Sequence, residues 1–265
     1  MRLQSPASLH SPKSASSNYN RQPMEAARIS ELLRPFLESP SAISTSHSLS
    51  FRGCRGPKES AVPSLSQIEN ILEYLDLLLR WNARVNLTAV RAPEEIVTRH
   101  FGESLFAARH LFPDAQAAYG HVVDIGSGAG FPGLPIKIWA RAIRLTLIES
   151  NQKKATFLRE VVRKLEMNDA AVFAKRAEEF EDEADIVTLR AVERFEQAVP
   201  VARRLARPGG KLALLIGEGQ MTRAKELLPN LEWSDALAIP QSSNRVLLVG
   251  RSPEIPNQSS HESAE

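Results

Sequence analysis

Residues 122–133 read VVDIGSGAGFPG: an apolar run ends in an acid, Asp124, and glycines follow at alternate positions, Gly126, Gly128 and Gly130. Spaced glycines serve where backbone turns sharply or approaches a ligand closely. The pattern reads as a buried strand, a tight turn and a helix start, whose free N–H groups face outward as a polar cradle. Two nucleoside-type cofactors compete for such a cradle. Gly128, Gly130 and Gly133 satisfy G-x-G-x-x-G, the dinucleotide fingerprint. That fingerprint wants its first glycine directly after the strand, with the pyrophosphate on the helix N-terminus. Here Gly126 already holds that place, and a carboxylate at Asp124 would repel a pyrophosphate. The same acid favours the sulfonium and ammonium of S-adenosylmethionine. The expected cofactor is S-adenosylmethionine, bound around Asp124, Gly126, Gly128 and Gly130, with NAD as the alternative.

A second acid fits the same reading. Residues 145–148, LTLI, lead to Glu149, about one βαβ step beyond the turn, where a ribose is gripped in such folds. A carboxylate accepts two hydrogen bonds from a vicinal diol. The plainer roles for Glu149 are a solvated strand-end acid, or help at the N-terminus of the helix beginning near Asn151. No Cys/His or paired-acid motif suggests a general base, and His100 and His121 read as structural.

The composition sets bounds. The 265 residues hold one cysteine, Cys54, so neither a disulfide framework nor a cysteine zinc site is expected, and no metal; this suits a reducing compartment. No apolar run is long enough to span a bilayer. The net charge is only +2, but Arg141, Arg144, Lys153, Lys154, Arg159, Arg163, Lys164, Lys175 and Arg176 crowd one stretch, followed by Arg190, Arg194, Arg203, Arg204, Arg207 and Lys211. Such cations neutralise phosphates, although Glu178, Glu179, Glu181, Asp182 and Glu183 lie among them.

The elements that must position these residues follow from periodicity. Residues 1–23 are Ser- and Pro-rich and read as disordered; the duller reading of this stretch makes Met24 the true start. Residues 24–37 carry helical spacing at Ile29, Leu32, Leu33 and Phe36, and 39–63 read as a flexible insert. A helix starts near Ser66, with Ser66 and Glu69 at capping-box spacing, and runs to Trp81 and Asn82. A second starts at Pro93 and continues to Phe112, with Glu94 and Glu95 suited to its first turn. Strands are expected at 121–125, 144–149, 171–174, 185–190, 211–216 and 245–249, with another near 233–239. Helices are expected at 132–140, 152–166, 193–206 and 220–228. The alternation predicts an α/β fold with a doubly wound, mostly parallel sheet. The division expected is an extension over 1–63, an N-terminal helical cap over 64–120, a Rossmann-like domain over 121–250 and a polar tail over 251–265.

RWNARVNLTAV, TRHFGESL, VVDIGSGAGFPGLPIKI, KRAEEF and TLRAV occur in that order, and over residues 65–250 the chain resembles the RsmG/GidB family, the small-subunit ribosomal RNA methyltransferase G. The resemblance implies the S-adenosylmethionine-dependent methyltransferase fold and methyl transfer to N7 of one guanine in 16S rRNA of the small subunit. It also implies a cytoplasmic protein, and cofactor contacts at Gly126, Phe131, Ala177, Glu178 and Arg190. Each has a physical rationale. Phe131 packs against the cofactor or serves as a core aromatic. Ala177 and Glu178 follow a strand, where an N–H and a carboxylate can read an adenine edge. Arg190 ends a strand at the carboxyl edge and is expected outside the core, since buried charge is costly; it suits a carboxylate or phosphate. One departure stands out: Ile216 replaces the lysine of the family's LLKG pattern.

Guanine N7 carries an in-plane lone pair, so attack on the sulfonium methyl needs no deprotonation, and no catalytic residue is expected. Rate would come from in-line placement, worth roughly 7–11 kcal/mol in favourable cases. The RNA contacts expected are Arg99, Arg176 and Arg194, beside Arg190. The partner is the small subunit or its rRNA, the protein a monomer with no membrane partner. Two other classes compete: an NAD-dependent oxidoreductase, and a non-catalytic RNA-binding scaffold.

Overall fold

A computed structural model of the chain describes residues 24–38, 62–191 and 194–254. Residues 1–23, nearly all of the 39–63 insert with Cys54, and residues 255–265 lie outside the described residues.

In chain order, α1 (Ala26–Leu37) and α2 (Leu65–Asn82) precede a helix in three parts: α3 (Pro93–Ile96), a π-helical stretch (Val97–Gly102) and α4 (Glu103–Leu111). Then β1 (His121–Ile125), α5 (Gly133–Trp139), β2 (Arg144–Ile148), α6 (Gln152–Lys164), β3 (Ala170–Phe173), β4 (Ala184–Arg190), α7 (Phe195–Leu205) and β5 (Ala206–Gly217) alternate. The chain continues with α8 (Met221–Leu227), β6 (Glu232–Trp233), β7 (Leu237–Ala238) and β8 (Arg245–Arg251). The sheet runs β3-β2-β1-β4-β5-β8-β6, with β7 also on β8. β1 to β5 pair in parallel, and β8 is antiparallel to β5. The strand order reverses between β1 and β4, and their carboxyl ends open the crevice where such sheets take ligands.

Alternation along the strands separates two apolar layers. Val122, Leu145, Leu147, Ile186, Ala213, Leu215 and Leu247 face α1, α2, α4, α5 and α6. Val123, Ile125, Val187, Leu189, Leu212, Leu214 and Leu248 face α7 and α8. Ile216, in place of the lysine, is buried in this second layer.

Three expectations change. The helix expected near Ser66 is capped by Ser64, not Ser66: the Gln67 N–H donates to Ser64 Oγ, and Ser64 N–H donates to Gln67 Oε1. Gln67 Nε2 also donates to the carbonyls of Ile138 and Trp139, which ties the start of α2 to the end of α5. The helix at 26–37, grouped by sequence with the extension, packs into the core: Ile29, Leu33, Phe36 and Leu37 are buried. Full burial of such side chains is worth about 1.5–3 kcal/mol each. The strand near 233–239 is two short strands, β6 and β7, which pair with different parts of β8.

Candidate active site

A cavity of about 580 Å³ lies over the carboxyl ends of β1, β2, β3 and β4. Of the expected cofactor residues, Gly126, Gly128, Phe131, Glu149, Ala177, Glu178 and Arg190 line it; Arg176 and Arg194 of the expected RNA contacts do too.

The turn after β1 and the end of β2 are locked together. The Gly128 N–H donates to Glu149 Oε2 at 2.9 Å, and the Asn151 N–H donates to Oε1 at 2.7 Å. Glu149 supports the start of α6, its plainer reading, and it also lines the cavity. Asn151 itself caps α6 by accepting from the N–H groups of Lys153 and Lys154. A carboxylate offers about four acceptor positions, so Glu149 keeps capacity for a diol. Gly128 has φ +57°, and a Cβ there would meet only the Gly126 carbonyl at 3.7 Å, so it would stand in open cavity. The free acceptor positions of Glu149 suit a ribose diol, and the bare Gly128 suits the close approach of a nucleoside cofactor.

Gly130 and Asp124 do other work. Gly130 does not line the cavity. At φ +93° its missing Cβ makes room for Leu134 Cδ1 and the Tyr74 hydroxyl, at 2.3 and 2.5 Å from where that Cβ would stand. Asp124 is buried behind the turn, where Oδ1 accepts from Thr188 Oγ1 at 2.8 Å and Oδ2 from the Gly133 N–H at 3.3 Å. Burial raises its pKa to about 6 against those hydrogen bonds. Its role is to hold β1, β4 and the start of α5 in register, rather than to face the cavity.

Arg190 is the largest departure from expectation. Its side chain is only 10% exposed, and Nη2 donates to Glu103 Oε2 at 3.0 Å. Arg245 reaches the other oxygen of Glu103 at 2.5 Å, so a buried acid offsets a cation that the sequence places outside the core. Nη2 also donates to the Arg99 carbonyl at 2.6 Å, and both terminal nitrogens lie 3.1 Å from His100 Nδ1. The Arg99 side chain pairs with Glu95 instead, and it does not line the cavity. Ala191, next to Arg190, takes φ +50°, a left-handed conformation that non-glycine residues adopt at a cost and that clusters at functional sites.

Leu87, Thr88 and His100 also line the cavity, and sequence reasoning missed them. Asn82 is buried, accepts from the N–H groups of Leu87 and Thr88, and donates to the Thr88 carbonyl. His100 packs on Phe131 with ring centroids 4.9 Å apart. Burial, and then the cations of Arg190, Arg99 and Arg245, push its pKa down to about 3, so the ring is neutral near neutrality. His121 is structural as expected: Nε2 pairs with Thr146 Oγ1 and the Arg144 guanidinium donates to Nδ1.

Residues 67–242 match the family model GidB, rRNA small subunit methyltransferase G. The chain belongs to the GidB family. Its GidB relatives include the ribosomal RNA small subunit methyltransferase G of Xanthomonas euvesicatoria pv. vesicatoria, 43% identical over 149 residues, which are 56% of this chain and 68% of that protein. The protein of the same description from Stenotrophomonas maltophilia is 44% identical over the same shares. Among solved structures, magnesium protoporphyrin IX methyltransferase from Synechocystis, determined with bound SAM, shares the fold with a TM-score of 0.54 and 11% identity. That likeness covers 68% of this chain and 97% of the other. GidB membership favours neither the NAD-dependent oxidoreductase nor the non-catalytic scaffold.

Proposed function

We propose that this chain transfers a methyl group from S-adenosylmethionine to N7 of a guanine in 16S rRNA of the small ribosomal subunit. The observation that carries the reading is the Gly128–Glu149 lock in the lining of the cavity, in a chain of the GidB family.

In this reading Glu149 takes the ribose hydroxyls, Gly126 and Gly128 give backbone clearance, and Ala177 and Glu178 meet the adenine beyond β3. Phe131 supplies an apolar wall. Arg190, fixed by Glu103, presents positive charge from the end of β4. Asp124 and Gly130 shape the turn from behind. When bound, the cofactor supplies an electrophilic methyl group. Guanine N7 attacks through a lone pair and needs no deprotonation, so the chain's task is to place the nucleobase. In this reading Arg176 and Arg194, both exposed, meet RNA phosphates.

The reading extends to a monomer in the cytoplasm; light scattering on the purified protein tests the first. Among the described residues no helix is long and apolar enough to cross a membrane. The helical segment over 64–120, with α1, is taken as the part that faces the substrate. The test is transfer of labelled methyl into undermodified 30S subunits. Incorporation supports the reading; NADH binding without S-adenosylmethionine binding overturns it.

A further inference from the structure

The hydrogen bonds around Thr88 fix the direction of its hydroxyl. Arginine only donates, so the two Arg190 nitrogens at 3.1 Å make His100 Nδ1 an acceptor. In a neutral imidazole the other nitrogen then carries the proton. His100 Nε2 lies 2.7 Å from Thr88 Oγ1, so it donates to that oxygen. The Val90 N–H donates to the same oxygen at 3.1 Å. A hydroxyl has two acceptor positions and one donor; both acceptor positions are filled, and the O–H proton remains to be given. The backbone cannot drift from this arrangement, because the Asn82 side chain holds both the N–H and the carbonyl of Thr88.

Thr88 lines the cavity beside His100, Phe131 and Arg190. The order β3-β2-β1-β4 sets this group at the β4 end of the crevice, across from Ala177 and Glu178 after β3. Resting on the function proposed above, with adenine at the β3 end and ribose at Glu149, the reacting base enters at the β4 end. Guanine shows two acceptors, N7 and O6, on one edge; adenine shows N7 beside an N6 amino donor. The geometry points to Thr88 as a specificity-determining residue: its hydroxyl donates to guanine O6, which orients N7 toward the methyl group and turns away adenine.

The test uses 30S subunits assembled on 16S rRNA carrying guanine, or 2-aminopurine in its place, at the methylated position. 2-Aminopurine keeps N7 and lacks O6. The wild-type protein should methylate the guanine substrate about tenfold faster or more, the effect of one lost hydrogen bond. Thr88→Val should bind S-adenosylmethionine as tightly as wild type by calorimetry, and should methylate both substrates at the same low rate. Thr88→Ser should restore the preference. The inference is overturned if Thr88→Val still prefers guanine as wild type does, or if it weakens S-adenosylmethionine binding tenfold, which would assign the hydroxyl to the cofactor's carboxylate. A wild-type protein that methylates neither substrate overturns the parent function and this inference together.

Discussion

Glu149 Oε2 accepts the backbone N–H of Gly128 at 2.9 Å, so the acid after β2 braces the glycine turn after β1. One carboxylate thereby fixes the loop that must approach a cofactor and lines the cavity that would hold it. Its second oxygen does the same for the start of α6 through the Asn151 N–H.

Gly128→Asp should abolish tight cofactor binding without unfolding the protein. A Cβ at this position meets nothing closer than 3.7 Å, but the new carboxylate enters the cavity next to Glu149, and like charges repel. Calorimetry should show S-adenosylmethionine affinity reduced by more than about tenfold, or ~1.4 kcal/mol. Unchanged affinity would contradict the assignment of the turn.

Gly130→Ala should act on folding instead. The added methyl would lie 2.3 Å from Leu134 Cδ1 and 2.5 Å from the Tyr74 hydroxyl, at φ +93°. Overpacking with a strained backbone costs about 2–4 kcal/mol. Denaturant melts should show that loss; a variant as stable as wild type would contradict the packing described.

Glu103→Ala should destabilise strongly, because it strands Arg190 with a positive charge in a buried site. Removing one partner of a buried ion pair costs about 3–5 kcal/mol. A loss below about 1 kcal/mol, the range of exposed pairs, would mean that Arg190 is solvated.

Asp124 should leave a mark on the pH dependence of stability. Its pKa rises from 3.8 unfolded to about 6 folded, so between those values the folded state holds more protons. Stability contributed by this group is full below about pH 4, falls as pH rises through 6, and is level above. The whole step is about 3 kcal/mol at most, an order-of-magnitude figure. Asp124→Asn, which does not titrate, should lack the step. Parallel stability curves for the two proteins between pH 4 and 7 would contradict it.

Much of this was legible in the chain. The strand-and-helix alternation gave the parallel sheet, and the spaced glycines with Asp124 and Glu149 gave the position of the cavity. Direction was harder to read than position. Asp124 ends an apolar strand and reads as a ligand, yet Thr188 on the neighbouring strand takes it inward. A signal was present: β4 alternates, so Ile186, Thr188 and Arg190 share one face, and that face is the one the N-terminal helices cover. Arg190 therefore points toward Glu103, whose acid is itself buried. The Thr88–His100 pair carried no local signal. It forms because Asn82 pins a loop that no periodic pattern describes.

The most direct test of the central claim is to treat 30S subunits that lack the modification with the purified protein and labelled S-adenosylmethionine, then map the label by nucleoside mass spectrometry. The label is expected as 7-methylguanosine at one position of 16S rRNA. No incorporation, or label on another base or another atom, would contradict it.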